Sequence, residues 1–154
     1  MTTANEFVNE ARKWLGTRFH HQGRVKKAGT SRGGCDCIGL IVGVVRDLDM
    51  KNSEGIPLSS FDETNYTRIP DGEYFARTLG KHLLEVDKNQ LKEGDLLLMK
   101  FDNNPQHVAI VAQSGTDVNI IHCYASARQV VEHILDKQWK ERIIKAYRFP
   151  AWQQ

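Results

Sequence analysis

Apolar residues Ala4, Phe7, Val8, Ala11, Trp14 and Leu15 recur at three- and four-residue steps, with Asn5, Glu6, Asn9, Arg12 and Lys13 on the other face. This pattern predicts an amphipathic helix, ended by Gly16-Thr17. Residues 18–34 lose the periodicity and read as a long loop holding His20, His21, Arg24, Lys26, Lys27 and Arg32. The next stretch, Gly33-Gly34-Cys35-Asp36-Cys37, leads directly into Ile38-Gly39-Leu40-Ile41-Val42-Gly43-Val44-Val45. A run with no polar face is enclosed by the rest of its domain, and periodicity alone does not separate a buried helix from a buried strand. The length to Leu48 and the N-capping character of Asp36 favour a helix with Cys37 in its first turn. Gly39 and Gly43, each costing about 1 kcal/mol relative to Ala in a helix, mark places where another element packs close.

Residues 49–70 carry turn formers and little periodicity. Tyr74, Phe75, Thr78, Leu79, Leu83 and Leu84 then predict a second amphipathic helix over 71–86. From Gly94 the pattern changes to that of strands, at 95–101, 107–113, 118–124 and 129–135, with a turn at Asp102-Asn103-Asn104-Pro105. A helical turn around Trp139 and a last strand ending at Phe149-Pro150 complete the chain. Helices first and antiparallel strands after them indicate an α+β fold. There is no internal repeat, and the 154 residues, 40% hydrophobic and 26% charged, fit one domain spanning 1–154.

Charge and cysteine usage narrow the function classes. The net charge is +2, with basic residues spread along the chain and mixed with acids. No nucleic-acid partner is expected. Three cysteines, two of them one residue apart, make a disulfide framework an unsuitable reading, so the thiols are expected reduced. Residues 1–15 carry Glu6, Glu10, Arg12 and Lys13 and no apolar stretch, so neither a signal peptide nor a membrane insertion is expected. The expected place of synthesis is the cytoplasm.

Cys37 is the candidate nucleophile. First-turn amides are unpaired and the helix dipole is positive there, which favours thiolate; such sites bring a cysteine from ~8.5 to roughly 3.5–7.5. The strands offer a base. His107 begins one strand and His122 lies in the next, and a loop of two or four residues within Ser114-Gly115-Thr116-Asp117 puts both imidazoles on one face. A three-residue loop would separate them. With the even register that face carries His107, Ala109, Val111, Val118, Ile120 and His122, an apolar surface suited to cover the central helix, while Cys123 points the other way. Cysteine chemistry needs a base beside the sulfur and a third polar group to orient the base's ring. Cys37, His107 and His122 suit these roles.

Asp36-Cys37-Ile38-Gly39-Leu40, His107-Val108-Ala109-Ile110-Val111 and Ile121-His122 resemble the Asp-Cys-Ser-Gly-Leu, His-Val-Gly-Ile and Ile-His segments of NlpC-type cell-wall cysteine peptidases. Residues 14–23, with Val131-Glu132, Trp139, Arg142-Ile143 and Arg148-Phe149-Pro150, resemble the phage and gene-transfer-agent branch of that family. The resemblance implies a papain-like NlpC-type fold, its nucleophile helix packed on an antiparallel sheet. It also implies Cys37 as nucleophile, His107 as base, His122 as the orienting residue, and cleavage of peptidoglycan stem peptides, typically after γ-D-glutamyl. No metal or cofactor is implied. Stem peptides are the implied partner, with phage tail proteins as a second class of partner and the virion tail as a second location. Phe19 departs from the pattern: many members carry a tyrosine hydroxyl there, near the oxyanion. The Cys37 amide remains as one oxyanion donor, with His20 and His21 as candidates for a second.

Arg24 and Arg32 are the candidates for reading stem-peptide carboxylates, because a guanidinium can grip a carboxylate with two bonds. Three rival readings stand beside this one. A metal site of Cys35, Cys37, His122 and Cys123 is disfavoured by the one-residue spacing and by adjacent strand residues pointing apart. The others are an inactive tail or scaffold protein with the same fold, and an acyltransferase or amidase using the same Cys and His.

Overall fold

The computed structural model describes residues 1–64, 66, 74–101 and 104–152, the side chains of 104–106 excepted. Helix α1 (Ala4–Arg12) starts at a capping box, with Glu6 N donating to Thr3 Oγ1 and Thr3 N donating to Glu6 Oε1. Its Phe7, Val8 and Ala11 are buried, and Trp14 follows into the core. The expected long loop contains two short paired strands, β1 (Arg24–Val25) and β2 (Gly34–Cys35). Helix α2 (Cys37–Asp47) follows at once, capped by Asp36 as expected.

Helix α3 (Tyr74–His82) is shorter than the predicted 71–86; residues 71–73 lie outside the described residues, and Leu84–Val86 forms strand β3. Amphipathic spacing reaches Leu84, yet Leu84 and Glu85 are exposed and pair with Arg148 and Tyr147. Hydrogen bonding to a sheet edge overrides the local pattern there. Strands β4 (Leu96–Phe101), β5 (Asn104–Ser114), β6 (Asp117–Cys123) and β7 (Val130–Ile134), then α4 (Lys137–Lys140) and β8 (Ile143–Arg148), complete the fold. The antiparallel six-stranded sheet runs β3-β8-β4-β5-β6-β7. Part of the predicted turn, residues 102–103, lies outside the described residues, while Asn104 and Pro105 already belong to β5.

Alternation along the strands divides the interior in two. Leu96, Leu98, Val108, Ile110, Ala112, Ile121 and Cys123 face α1, α2 and α3, whereas Leu97, Met99, Ala109, Val111, Ile120, Ile143 and Ala146 form a second core beside Trp139. Both glycines of α2 mark close approaches. A Cβ on Gly43 would lie 2.1 Å from Trp14 Cζ2, and one on Gly39 would lie 2.0 Å from Gly23 O. In the sheet, Arg148 donates from Nε and Nη2 to Asp95, each at 2.8 Å, and Lys92 N also donates to that carboxylate.

Asp95 is fully buried, so removing it leaves a guanidinium without its partner in a low-dielectric setting. Asp95→Ala is expected to lower the unfolding free energy by about 3–5 kcal/mol in urea titrations. A loss under about 1 kcal/mol would show that the pair contributes no more than a surface ion pair.

Candidate active site

Asp36 sets the geometry around Cys37. Its carboxylate accepts from Gly39 N (2.8 Å), Gln22 N (2.8 Å), Arg24 Nη1 (3.1 Å) and the Tyr66 hydroxyl, which fills the acceptor capacity of two oxygens. Arg24 also donates to both oxygens of Asp62, at 2.9 and 3.1 Å, and to the Tyr66 hydroxyl at 2.9 Å. The guanidinium predicted to read substrate is therefore an internal tie among Asp36, Asp62 and Tyr66. Arg32 and His20 are exposed and His21 is half-buried against the Tyr66 ring. His20 N donates to Cys35 O, which lays the loop alongside the entry to α2. Tyr66 went unseen in the sequence because it falls in the aperiodic stretch, with no neighbouring motif to mark it.

The expected thiolate is not the resting state. Cys37 is 8% exposed, and burial, followed by the charge of Asp36, pushes its thiol up to about 12. The amides of Val108 and Ile38 oppose this by hydrogen-bonding the sulfur. The helix terminus does favour thiolate, but here desolvation and an adjacent carboxylate outweigh it.

Ser114 pairs with Asp117 and Val111 with Ile120, so the hairpin loop holds two residues and His107 sits two places from the partner of His122. The two imidazoles share the expected face, but that face does not cover α2. Both imidazoles stand on the side of Ala109, Val111 and Ile120, against Trp139, while the α2 side is lined by Val108, Ile110, Ile121 and Cys123. This division also separates His122 from Cys123, whose thiol donates to Cys35 O at 3.2 Å.

His107 Nε2 and His122 Nδ1 are hydrogen-bonded at 2.7 Å, and His122 Nε2 and His133 Nε2 at 2.8 Å. Phe101 stacks on His107, Tyr124 lies beside both rings, and Trp139 meets His122 edge-on. Arg142 covers Phe101 and Trp139 from outside. Among the described residues no hydrogen bond joins Cys37 Sγ to His107; the sulfur instead meets the amide of Val108, the next residue along β5. Burial lowers His107 to about 3, with Arg142 adding to the effect, and burial lowers His122 to about 2, helped by its two histidine neighbours. Both rings are neutral near pH 7. His133 was missed because an isolated histidine in Val131-Glu132-His133-Ile134 carries no motif; its register opposite Ile120 was the available signal.

Two measurements follow from these shifts. Below its raised value the Cys37 thiolate fraction grows tenfold per pH unit, so iodoacetamide labelling of Cys37 is expected to rise about tenfold per unit from pH 7 to 9. A plateau near pH 7 would show a preformed thiolate, and the fully buried Cys35 and Cys123 should remain unlabelled in the native protein. The unfolded histidines take up protons near their ordinary 6.5, the folded His107 only near 3. The unfolded chain thus binds more protons in that window, and stability falls as pH drops through it. Unfolding free energies from urea titrations at pH 7.5 and 5.0 should differ by roughly 4 kcal/mol, about 2 from each of His107 and His122, and the difference should fall by about half in His107→Gln.

The sequence model of the NlpC/P60 family matches residues 16–148. No curated protein matches the sequence. Among solved structures, an NlpC/P60 family protein from Bacillus cereus ATCC 10987 is similar with a TM-score of 0.59 and 26% identity, over 95% of this chain and 40% of that one. The NlpC/p60 domain of the peptidoglycan hydrolase SagA matches with a TM-score of 0.57 at 20% identity, over 95% and 98% of the two chains. An N-acetylmuramoyl-L-alanine amidase from Bacteroides uniformis ATCC 8492 matches at 0.56 and 11% identity, again over 95% and 98%. This chain spans less than half the length of the Bacillus cereus protein. A family model covering most of the sequence, a cysteine at the start of a buried helix and an antiparallel sheet carrying paired histidines together place the chain in the NlpC/P60 family.

Proposed function

We propose that this chain is a cysteine peptidase that hydrolyses peptidoglycan stem peptides, with Cys37 as nucleophile, His107 as base and His122 orienting the base. The observation that carries the reading is the meeting of two segments: the Cys37 sulfur, at the start of α2, lies against the amide of the residue that follows His107. In this reading the His107 to sulfur hydrogen bond tightens when substrate enters, as catalytic bonds commonly do. Because the thiol is protonated and the imidazole neutral at rest, His107 takes the thiol proton as sulfur attacks the scissile carbonyl carbon. The developing oxyanion is met by the Cys37 amide, with His20 and His21 as candidates for the second donor in place of the hydroxyl that Phe19 lacks. Collapse breaks the C–N bond, and His107 returns its proton to the leaving amine. Water, deprotonated by His107, then releases the acyl group from sulfur.

The bond we assign is that between γ-D-glutamyl and the following diamino acid. The exposed Arg32 is the remaining guanidinium candidate for a stem-peptide carboxylate, Arg24 being tied inside. We assign the chain to the phage and gene-transfer-agent branch, made in the cytoplasm and carried to the wall with a virion tail; the support is the resemblance of residues 14–23 and 131–150. The chemistry given to Cys37 and His107 requires no cofactor.

Digestion of purified peptidoglycan followed by mass analysis tests the reading. The wild type is expected to release fragments ending in D-glutamate, Cys37→Ala to release none, and His107→Ala to fall by about 10²–10⁴-fold. His122→Asn should keep part of the activity, since it only positions the base. One observation favours a second reading, an inactive tail or scaffold protein: Cys37 is buried and, among the described residues, makes no hydrogen bond to His107. Wild-type and Cys37→Ala digests that are indistinguishable would overturn the peptidase reading.

A further inference from the structure

We propose that His133 is a positioning residue that sets which nitrogen of His107 carries the hydrogen. The argument starts at a group that cannot donate. His133 Nδ1 lies 2.9 Å from the carbonyl oxygen of Ile134; a carbonyl only accepts, so Nδ1 bears the hydrogen. In a neutral His133 the other nitrogen, Nε2, is then an acceptor. Its partner at 2.8 Å, His122 Nε2, must be the donor. His122 is neutral, so its Nδ1 carries the lone pair and accepts from His107 Nε2 at 2.7 Å. His107 in turn is left with a lone pair on Nδ1. A backbone carbonyl on β7 therefore fixes the tautomers of three rings in series and ends by making His107 Nδ1 basic.

The surroundings keep the order in place. His107 and His122 are 2% and 0% exposed, and Phe101, Tyr124 and Trp139 wall the chain. Nothing in this order depends on His122 alone. Its two nitrogens are equivalent as hydrogen-bonding groups, and without His133 it would accept from or donate to His107 with similar ease. His107 with its hydrogen on Nδ1 could not take a proton there. The inference deepens the peptidase reading by assigning a residue outside the proposed Cys37, His107 and His122 set.

The test has a spectroscopic arm that does not require activity. Long-range proton–nitrogen correlation spectra of histidine-labelled protein near pH 7.5 should show His107 with hydrogen on Nε2 and none on Nδ1. In His133→Gln, whose side-chain oxygen accepts from His122, this state should persist. In His133→Leu, which offers no acceptor, a mixture of tautomers at His107 is expected, with kcat lower by the fraction of His107 that has lost its Nε2 hydrogen, about twofold for an even mixture, KM unchanged, and kcat at the wild-type value in His133→Gln. The inference is overturned if wild-type His107 carries hydrogen on Nδ1, if the tautomer is unchanged in His133→Leu, or if the tautomer shifts while kcat does not. Should the wild type show no peptidase activity, the peptidase reading fails and the spectra alone decide whether His133 governs the tautomer.

Discussion

The carboxylate of Asp36 is the constraint on which the rest of the molecule depends. It caps the start of α2 by accepting from Gly39 N, holds the loop at Gln22, and gathers Arg24 and Tyr66 from segments otherwise distant in sequence. These four contacts take the same two oxygens, so losing one leaves the others misaligned rather than merely fewer. Arg24 transmits the constraint onward to Asp62, and the absent side chain of Gly39 lets the Gly23 carbonyl approach α2 closely. The start of α2, and with it the position of Cys37, is determined by a polar cluster more than by apolar packing.

The sheet adds a second constraint, because alternation forces each strand to serve two faces. On one side of β5 and β6, Val108, Ile110 and Ile121 pack under the helices. On the other, His107 and His122 share an interior with Ala109, Val111 and Trp139. A neutral imidazole tolerates this burial only when its nitrogens are paired. Hydrogen bonds from ring to ring meet that requirement at His107 Nε2 and at both nitrogens of His122, and the Ile134 carbonyl closes the series.

Much of the fold was legible in the sequence because its strongest signals are local. The apolar run after Asp36 is long and capped, the β4 to β6 strands read as short apolar runs separated by turn formers, and Gly39 and Gly43 lie where backbone or Trp14 comes close. Strand β3 was illegible: Leu84 and Glu85 continue a helical pattern, and only pairing with β8, more than 50 residues away, makes them a strand. The histidine face was half legible. Turn length determines that two side chains share a side, but both faces are apolar, so which side the helix covers is set by the tertiary arrangement. Arg24 was misread for a related reason, since a basic residue in a loop looks solvated until the partners that the fold brings to it, Asp62 and Tyr66, are known.

The electrostatics of the site favour proton transfer during attack over a preformed ion pair. A carboxylate capping α2 gives order at its terminus, yet the same charge beside the sulfur stabilises the thiol. Burial acts in the same direction on both partners, keeping the sulfur protonated and His107 neutral. Under the proposed assignment of His107 as base, there is no standing negative charge opposite the ring, so its competence rests on having the lone pair at the required nitrogen when substrate arrives. A site holding a thiolate and imidazolium would be insensitive to tautomer, because the charged ring carries both hydrogens. Here the ring is neutral, and a hydrogen-bond order anchored on a strand carbonyl supplies by geometry what the charges do not.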